Sequence, residues 1–345
     1  MSDSPAPATA PMRATAALSV VLVAGSGLAG IARTMRHLRA QTARDRIELI
    51  VVAESARPLD AGALGGDSFA ACRIVEVGPI RQRGDAAAKG IRTAIAPIVA
   101  MIEDHSYPEP EWAEAFLRAH EGPWTVVGPA VANANPEYVA SWVNYVLTYG
   151  IFAPPLAAGE RDLLPWHNSA YKREALALFS DRLGALLEWE GSLQDELRAS
   201  GHTLYLEPAA RTHHANVSRG WSTLGLNVQR GRIMGAQRAA RERWPYWRRL
   251  VQAAAFPLFP VLHLRYTLPA LRRMPIPDAL RPRVYAGVGA ALGVFAAAEA
   301  WGLLAGEGNA IVRMEDYELQ RTKHLSRRER RDLATREQAM GSTPG

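Results

Sequence analysis

The sequence predicts an α/β fold in which a mixed, mostly parallel sheet is flanked by helices. Over the first 220 residues, continuous apolar segments typical of buried strands alternate with segments of helical periodicity. Strands separated by helices indicate βαβ units, and ligands of such folds bind at the carboxyl ends of the strands. The region after residue 220 differs in character, and it predicts a helical, membrane-associated appendage at the C-terminal side.

Six strands and three helices are predicted in order. The strands are LSVVLVAG from Leu18, ELIVVAES at 48–55, RIVEVG at 73–78, PIVAMIED at 97–104, WTVVGPAV at 124–131 and HTLYLEPAA at 202–210. The helices are ARTMRHLRAQ at 32–41, GDAAAKGIRTAIA at 84–96 and an acidic helix over 181–200.

Composition narrows the class of protein. The chain has 345 residues, of which 48% are hydrophobic and 21% charged, and this excludes disordered and fibrous proteins. A mean hydropathy of -0.11 argues against a polytopic membrane protein. The single cysteine, Cys72, excludes an internal disulfide and a cysteine-based zinc site. The net charge of +6 comes mostly from arginine, whose planar guanidinium suits phosphates and anionic lipids.

Four regions follow one another along the chain. Residues 1–16 are rich in Pro, Ala and Ser and predict a disordered leader. Residues 17–222 contain the α/β pattern, residues 223–312 are helical and apolar, and residues 313–345 form a charged tail.

A glycine pattern follows the first strand. Gly25, Gly27 and Gly30 form G-x-G-x-x-G, and Glu54 ends the second strand. This pattern is typical of dinucleotide binding, and it leaves an NAD(P)-dependent oxidoreductase open as an alternative. The same glycines also fit an ordinary strand-to-helix turn. Tyr171 and Lys172 are adjacent, so they do not have the spacing of a pair on one helix face.

Acidic and histidine residues cluster at three places. Glu103, Asp104 and His105 end the fourth strand, and oxygen ligands with one nitrogen suit Mg²⁺ or Mn²⁺ at a diphosphate. A carboxylate near 188–190 has the chemistry of a general base, and a His pair follows the last strand. Each pattern alone is equally typical of a solvated loop or an ion-paired helix.

The order of these segments over about residues 18–220 resembles the family 2 inverting glycosyltransferases, which use nucleotide-sugar donors and have the GT-A fold. The resemblance rests on LSVVLVAG, MRHLRAQ and IELIVVAES, on Glu103-Asp104-His105 at the place of an Asp-x-Asp motif, and on the segment LPWHNSAYKR at 164–173. This chain has Glu for the first Asp and His for the last.

The resemblance implies a set of site residues. The donor is expected to contact Ala24, Gly25, Ser26, Glu54, Arg81, Gly84, Lys89, Glu103 and Asp104. The acceptor or diphosphate is expected near His167, Asn168 and Arg173. The metal, Mg²⁺ or Mn²⁺, is expected on Glu103, His105 and one of His213 and His214. Glu190 is the expected general base, with Glu188 as the second choice.

The C-terminal region predicts membrane association. Residues 284–305 are long enough to span a bilayer, although a tightly packed soluble helix fits equally well. Residues 250–271 are interrupted by Pro257, Pro260 and Pro269, and they follow a segment rich in Arg, Trp and Tyr, which favours an interfacial position. We therefore expect an enzyme at the inner face of the cytoplasmic membrane, peripheral or anchored by this region. Its expected partners are a nucleotide-sugar donor and a glycan or lipid-linked acceptor of surface-glycan synthesis, and no nucleic acid.

A third alternative is a degenerate, non-catalytic GT-A module. It is motivated by the departures at Glu103 and His105 and by Trp189, which replaces the Glu of the family's base motif.

Overall fold

The computed structural model describes residues 15–25, 27–56, 62, 64–188 and 191–332. The strands in this part of the chain are β1 (Leu18–Ala24), β2 (Ile47–Ala53), β3 (Ala71–Glu76), β4 (Ile98–Ile102), β5 (Ser106–Pro108), β6 (Val126–Asn133), β7 (Gly159–Glu160), β8 (Ala170–Lys172) and β9 (Leu204–His214). The helices are α1 (Gly27–Arg39), α2 (Arg83–Thr93), α3 (Trp112–Ala119), α4 (Val139–Tyr149), α5 (Arg173–Ala177), α6 (Leu183–Glu188), α7 (Ser192–Ala199), α8 (Gly220–Arg241), α9 (Tyr246–Ala254), α10 (Phe259–Arg273), α11 (Arg281–Ala305) and α12 (Ala310–Leu319).

The strands form one mixed sheet, and the predicted α/β class is confirmed. Its order is β3-β2-β1-β4-β8-β6-β9-β5, with β7 paired to β9. The β3-β2-β1-β4 half is parallel, whereas β8 runs antiparallel to both of its neighbours. β9 is parallel to β6 and antiparallel to β5.

Within the parallel half, β1, β2 and β4 are buried on both faces, which explains their continuous apolar sequences. All seven residues of β2 are buried. Ile50 belongs to the core that contains Ile91 of α2. The next residue, Val51, points to the opposite core with Ile31 of α1 and Trp112 of α3.

Most predicted elements are shifted by a few residues, and two differences bear on the site. The acidic segment 181–200 contains two short helices, α6 and α7, and Gly191 before α7 has a left-handed φ of 83°. β9 continues to His214, four residues beyond the predicted 202–210, because it gains pairing with β5 and with the end of β6. That extension carries both histidines into the sheet.

The C-terminal helices pack closely on each other. α8 and α11 meet at glycines: a Cβ at Gly235 would lie 2.1 Å from the Glu299 carbonyl oxygen, and one at Gly302 would lie 2.0 Å from that of Arg232. Glu299 is fully buried in α11, and its carboxylate pairs with Arg238 of α8 at 2.8 Å. Among the described helices, α11 alone has the length and hydropathy of a membrane span. Half of its most apolar 18-residue stretch is buried inside the protein.

Candidate active site

The carboxyl end of β4 carries three consecutive buried polar residues, Glu103, Asp104 and His105. β5 follows at once and pairs antiparallel with β9, in a register that sets Ser106 opposite His214. This pairing brings His214 to the same edge of the sheet. Its Nε2 lies 3.4 Å from Glu103 Oε2, and His105 Nε2 lies 3.9 Å from Glu103 Oε1.

The alternation of β9 separates the two neighbouring histidines. His214 is buried in the cluster with Glu103 and His105. His213 points to the other face, where its Nε2 contacts Glu109 Oε1 at 2.9 Å and the side chain is 38% exposed. The sequence left the choice between them open, and the structure places only His214 beside the acidic residues.

Hydrogen bonds orient both buried imidazoles. His214 Nδ1 lies 3.0 Å from Asn216 Oδ1, and His105 Nδ1 lies 2.6 Å from Asp104 Oδ1. A proton on each Nδ1 satisfies these oxygens, so each Nε2 directs its lone pair toward the cluster. Metal-binding histidines usually donate their other ring N–H to an oxygen acceptor in this way.

Burial keeps these imidazoles neutral. Burial, reinforced by the charge of Arg321, lowers the pKa of His214 to about 3 and that of His105 well below its ordinary value. Burial also raises the pKa of Asp104 to about 8. A neutral imidazole is the form that ligates metals.

The donor set therefore fits a divalent cation. One carboxylate oxygen and two imidazole nitrogens, from Glu103, His105 and His214, all lie within 4.8 Å of one another. Two imidazole nitrogens with one carboxylate oxygen are a ligand set that first-row divalent cations accept.

Three polar side chains hold Glu103 in place. Its Oε2 accepts hydrogen bonds from Asn168 Nδ2 at 2.9 Å and from the hydroxyls of Tyr149 and Ser106, each at 3.3 Å. Asn168 was among the predicted residues, and it positions the carboxylate from beneath. His167, its neighbour, lines the cavity in front of the cluster.

Arginines supply the positive charge of the site. Arg83 Nη1 lies 3.6 Å from Glu103 Oε1, and its Nε lies 3.3 Å from Glu315. Arg321 Nη2 lies 2.8 Å from His105 Nε2 and 2.6 Å from Glu318. Although burial opposes ionisation of Glu318, Arg321 and Arg83 hold its pKa below its ordinary value.

Four of these residues were absent from the sequence prediction: Arg83, Glu315, Glu318 and Arg321. Arg83 lies between Arg81 and Gly84, two of the residues that were expected to contact the donor. The other three come from α12 and the turn after it, where their spacing of three residues was the available signal.

Glu188 faces the same cavity from the end of α6. Its Oε2 accepts the backbone N–H of Gly84 at 2.9 Å. Burial and the nearby Glu315 raise its pKa to about 7. Glu190 lies outside the described residues, as does Ser26.

The remaining predicted donor residues lie around the β1 and β2 ends. Ala24 is buried at the end of β1, and a Cβ on Gly25 would lie 2.6 Å from Leu319, so the loop after β1 is covered by α12. Glu54 accepts the Ile80 N–H at 3.0 Å. Lys89 and Arg81 are exposed.

Arg173 lies apart from the cluster. It follows β8, whose last residue, Lys172, pairs with Ile98 at the start of β4. Glu103 follows the opposite end of β4. The structure therefore places Arg173 near the start of β4, at the opposite end of this strand from Glu103.

A cavity of about 470 Å³ opens in front of the cluster. Glu103, His214, Arg83 and Glu188 line its polar part. Such a volume is in the range of small-molecule sites, and few polar groups converge on it from several elements. The arrangement can hold a cation, bind an anion and accept a proton within one cavity.

Comparison with known proteins finds no matching family model and no matching curated protein. Solved structures similar to this chain include GalNAc-T7 with UDP, GalNAc and Mn²⁺, at 12% identity and a TM-score of 0.45 over 58% of this chain and 43% of that one. Mannosyltransferase PcManGT from Pyrobaculum calidifontis, in complex with GDP-Man and Mn²⁺, is similar at 16% identity and a TM-score of 0.49 over 88% of each chain. TarS 1–349 of S. aureus is similar at 9% identity and a TM-score of 0.41, over 79% of this chain and 70% of that one.

Proposed function

We propose that this protein is an inverting glycosyltransferase that moves a sugar from a nucleotide-sugar donor to an acceptor hydroxyl. One observation carries the proposal: Glu103 and His214, which together with His105 could hold a cation, line the same cavity as Glu188, a carboxylate whose pKa is raised to about 7. The sequence resemblance to family 2 enzymes supports the same reaction. A general base is most effective when its pKa lies near the working pH.

Charge neutralisation at the leaving group is the first requirement of this reaction. A Mg²⁺ or Mn²⁺ ion on Glu103, His105 and His214 would neutralise charge on the nucleoside diphosphate. Arg83 adds a fixed positive charge on the same wall of the cavity. A guanidinium that is already oriented stabilises developing negative charge without reorganisation.

Proton removal is the second requirement. Glu188 accepts the proton of the acceptor hydroxyl, and its hydrogen bond from Gly84 fixes the orientation of the carboxylate. The acceptor oxygen then forms its bond to the anomeric carbon as the bond to the diphosphate breaks. Direct displacement of this kind inverts the anomeric configuration and depends on positioning more than on a covalent nucleophile. Glu190 is the second proposed base.

The test is release of nucleoside diphosphate from a panel of UDP- and GDP-sugars with Mn²⁺, Mg²⁺ or EDTA. We expect release from one donor, and its loss with EDTA. No release of nucleoside diphosphate from any donor, together with no binding of UDP or GDP, would support the non-catalytic alternative.

We also propose that α9 and α10 hold the enzyme on an anionic membrane, at the inner face of the cytoplasmic membrane. Trp247, Val261 and Leu262 are 66%, 67% and 55% exposed. Residues 243–277 contain six arginines and no Asp or Glu. Exposed aromatic and aliphatic side chains among basic residues are typical of an interfacial helix on anionic lipid.

Vesicle flotation tests this surface. We expect the protein to float with phosphatidylcholine–phosphatidylglycerol vesicles and much less with phosphatidylcholine alone. Trp247→Ser with Leu262→Ser should abolish flotation, whereas Leu178→Ser, at an exposed position next to α5, should not. Equal flotation of all three proteins would contradict the assignment.

A further inference from the structure

The cavity in front of Glu103 changes character along its length. Its polar part is lined by side chains that follow β4 and β9 and by those of α2 and α6. Most of the remaining lining is apolar and comes from four helices: Leu147 of α4, Leu226 and Ile233 of α8, Phe295 of α11, and Ile311 and Met314 of α12. Arg230 and Gln237 of α8 are polar exceptions among them.

α12 shows the direction of this change. Glu315 and Glu318 belong to the ion-pair network at the cluster, whereas Ile311 and Met314 lie toward the start of the same helix. At 1.5 Å per residue, Ile311 lies about 10 Å along the axis from Glu318. The cavity therefore runs from carboxylates to an apolar wall over about two turns of one helix.

The apolar part adjoins the proposed membrane surface. His263 of α10 lines the cavity, and its ring contacts Phe295 of α11 edge to face at 5.2 Å. Val261 and Leu262, on the same helix, are exposed. One helix thus forms a wall of the cavity and part of the exposed apolar surface.

We propose that the apolar part binds the aliphatic chain of an amphiphilic acceptor, whose hydroxyl reaches Glu188. This inference rests on the proposed function for the role of the hydroxyl, but the binding of an aliphatic chain stands on the cavity alone. The C–H groups of a water-soluble glycan offer little apolar area to such a wall, whereas each buried methylene of an alkyl chain strengthens binding about fourfold. The apolar wall therefore selects a lipid-like acceptor over a free sugar.

Photolabelling of the full chain tests the site without any sugar transfer. The probe is an alkyl β-glucoside with a diazirine in its chain, used below its critical micelle concentration. We expect labels in residues 226–234 and 311–314, and we expect octyl β-glucoside, but not methyl β-glucoside, to compete. Labels confined to the exposed side chains of α9 and α10 would overturn the inference.

Filling the cavity provides the matched comparison. Met314→Trp should lower cavity labelling about tenfold, because the loss of about two methylene contacts already has that effect. Met314→Leu conserves volume and should label like the wild type, which separates occlusion from misfolding. Val312→Trp adds a similar bulk at a position of the same helix that is 72% exposed, and it should leave cavity labelling unchanged. Unchanged labelling in Met314→Trp would refute the site.

Donor hydrolysis in the same preparations keeps the two proposals apart. Nucleoside diphosphate release without cavity labelling would refute the aliphatic site alone. Cavity labelling without turnover of any donor would refute the proposed reaction and leave an amphiphile-binding site.

Discussion

Arg321 Nη2 lies 2.8 Å from His105 Nε2, so a guanidinium after α12 uses the lone pair that a metal ion would need. Glu318 holds the same guanidinium at 2.6 Å. A cation on Glu103, His105 and His214 therefore competes with Arg321 for His105. Binding of a metal ion by His105 therefore requires the Arg321 guanidinium to leave His105 Nε2.

Removal of this guanidinium should strengthen metal binding. Arg321→Gln is expected to bind Mn²⁺ at least about tenfold tighter in the absence of nucleotide, because a neighbouring positive charge and a competing donor are both lost. Electron paramagnetic resonance of free Mn²⁺ measures this affinity. Arg328→Gln, at a side chain 80% exposed, is the control and should not change it. An affinity in Arg321→Gln equal to that control would contradict the competition.

The two histidines of β9 should differ sharply in the same measurement. His214→Ala is expected to weaken Mn²⁺ binding by about 100-fold or more, since even residues behind a ligand cost 10- to 100-fold. His213→Ala should stay within about twofold, because its imidazole pairs with Glu109 on the other face of the strand. Equal losses in both variants would show that the ions bind elsewhere.

Glu188 predicts a pH dependence of turnover. Its pKa is raised to about 7, so kcat should rise with pH through about 7 as the carboxylate ionises and becomes able to accept a proton. Glu188→Gln should lower kcat by about 10² to 10⁴-fold. Glu190→Gln, measured beside it, decides which carboxylate is the base. A normal rate in Glu188→Gln would remove its role.

Glu315 should influence the pH at which kcat rises. Its negative charge helps to raise the pKa of Glu188 after burial itself. Removing a like charge favours the ionised form of Glu188, so in Glu315→Gln the rise of kcat should occur at lower pH. A pH–rate profile of this variant that overlays the wild type would exclude Glu188 as the titrating group.

An added methyl group at the contact between α8 and α11 should destabilise the protein. Gly235→Ala places a Cβ 2.1 Å from the Glu299 carbonyl oxygen, and we expect the free energy of unfolding to fall by about 2 kcal/mol, as in other overpacked sites. Gly289→Ala in α11 meets nothing within 4 Å and should raise it by about 0.5–1 kcal/mol. Urea titration of both variants measures the difference. Equal stability of the two would show that α8 and α11 are less closely packed.

The sheet and the first part of the site were predictable from local sequence. Buried parallel strands are continuous apolar runs, and Glu103 to His105 end one of them, so their position at the edge followed directly. The choice between His213 and His214 required the strand to continue past residue 210, which no local apolar pattern indicates. Pairing with β5 decides it.

Arg83 and Arg321 could not be placed by the same reasoning. Glu315 lies 232 residues after Arg83, and Arg321 lies 216 residues after His105. Contacts at such separation leave no spacing pattern in the chain. Glu315, Glu318 and Arg321 follow helical spacing, which predicts that they share a face but not what that face meets.

Because His105 and Arg321 are far apart in the sequence, the ribosome makes them at different times. A ribosome that adds about 5–20 residues per second needs about 10–40 seconds to make the 216 residues between them. During that interval the nascent sheet carries Glu103 and His105 before their guanidinium partner has been synthesised. The order of translation therefore places Arg321 last, after Glu103, His105 and His214 have all been made.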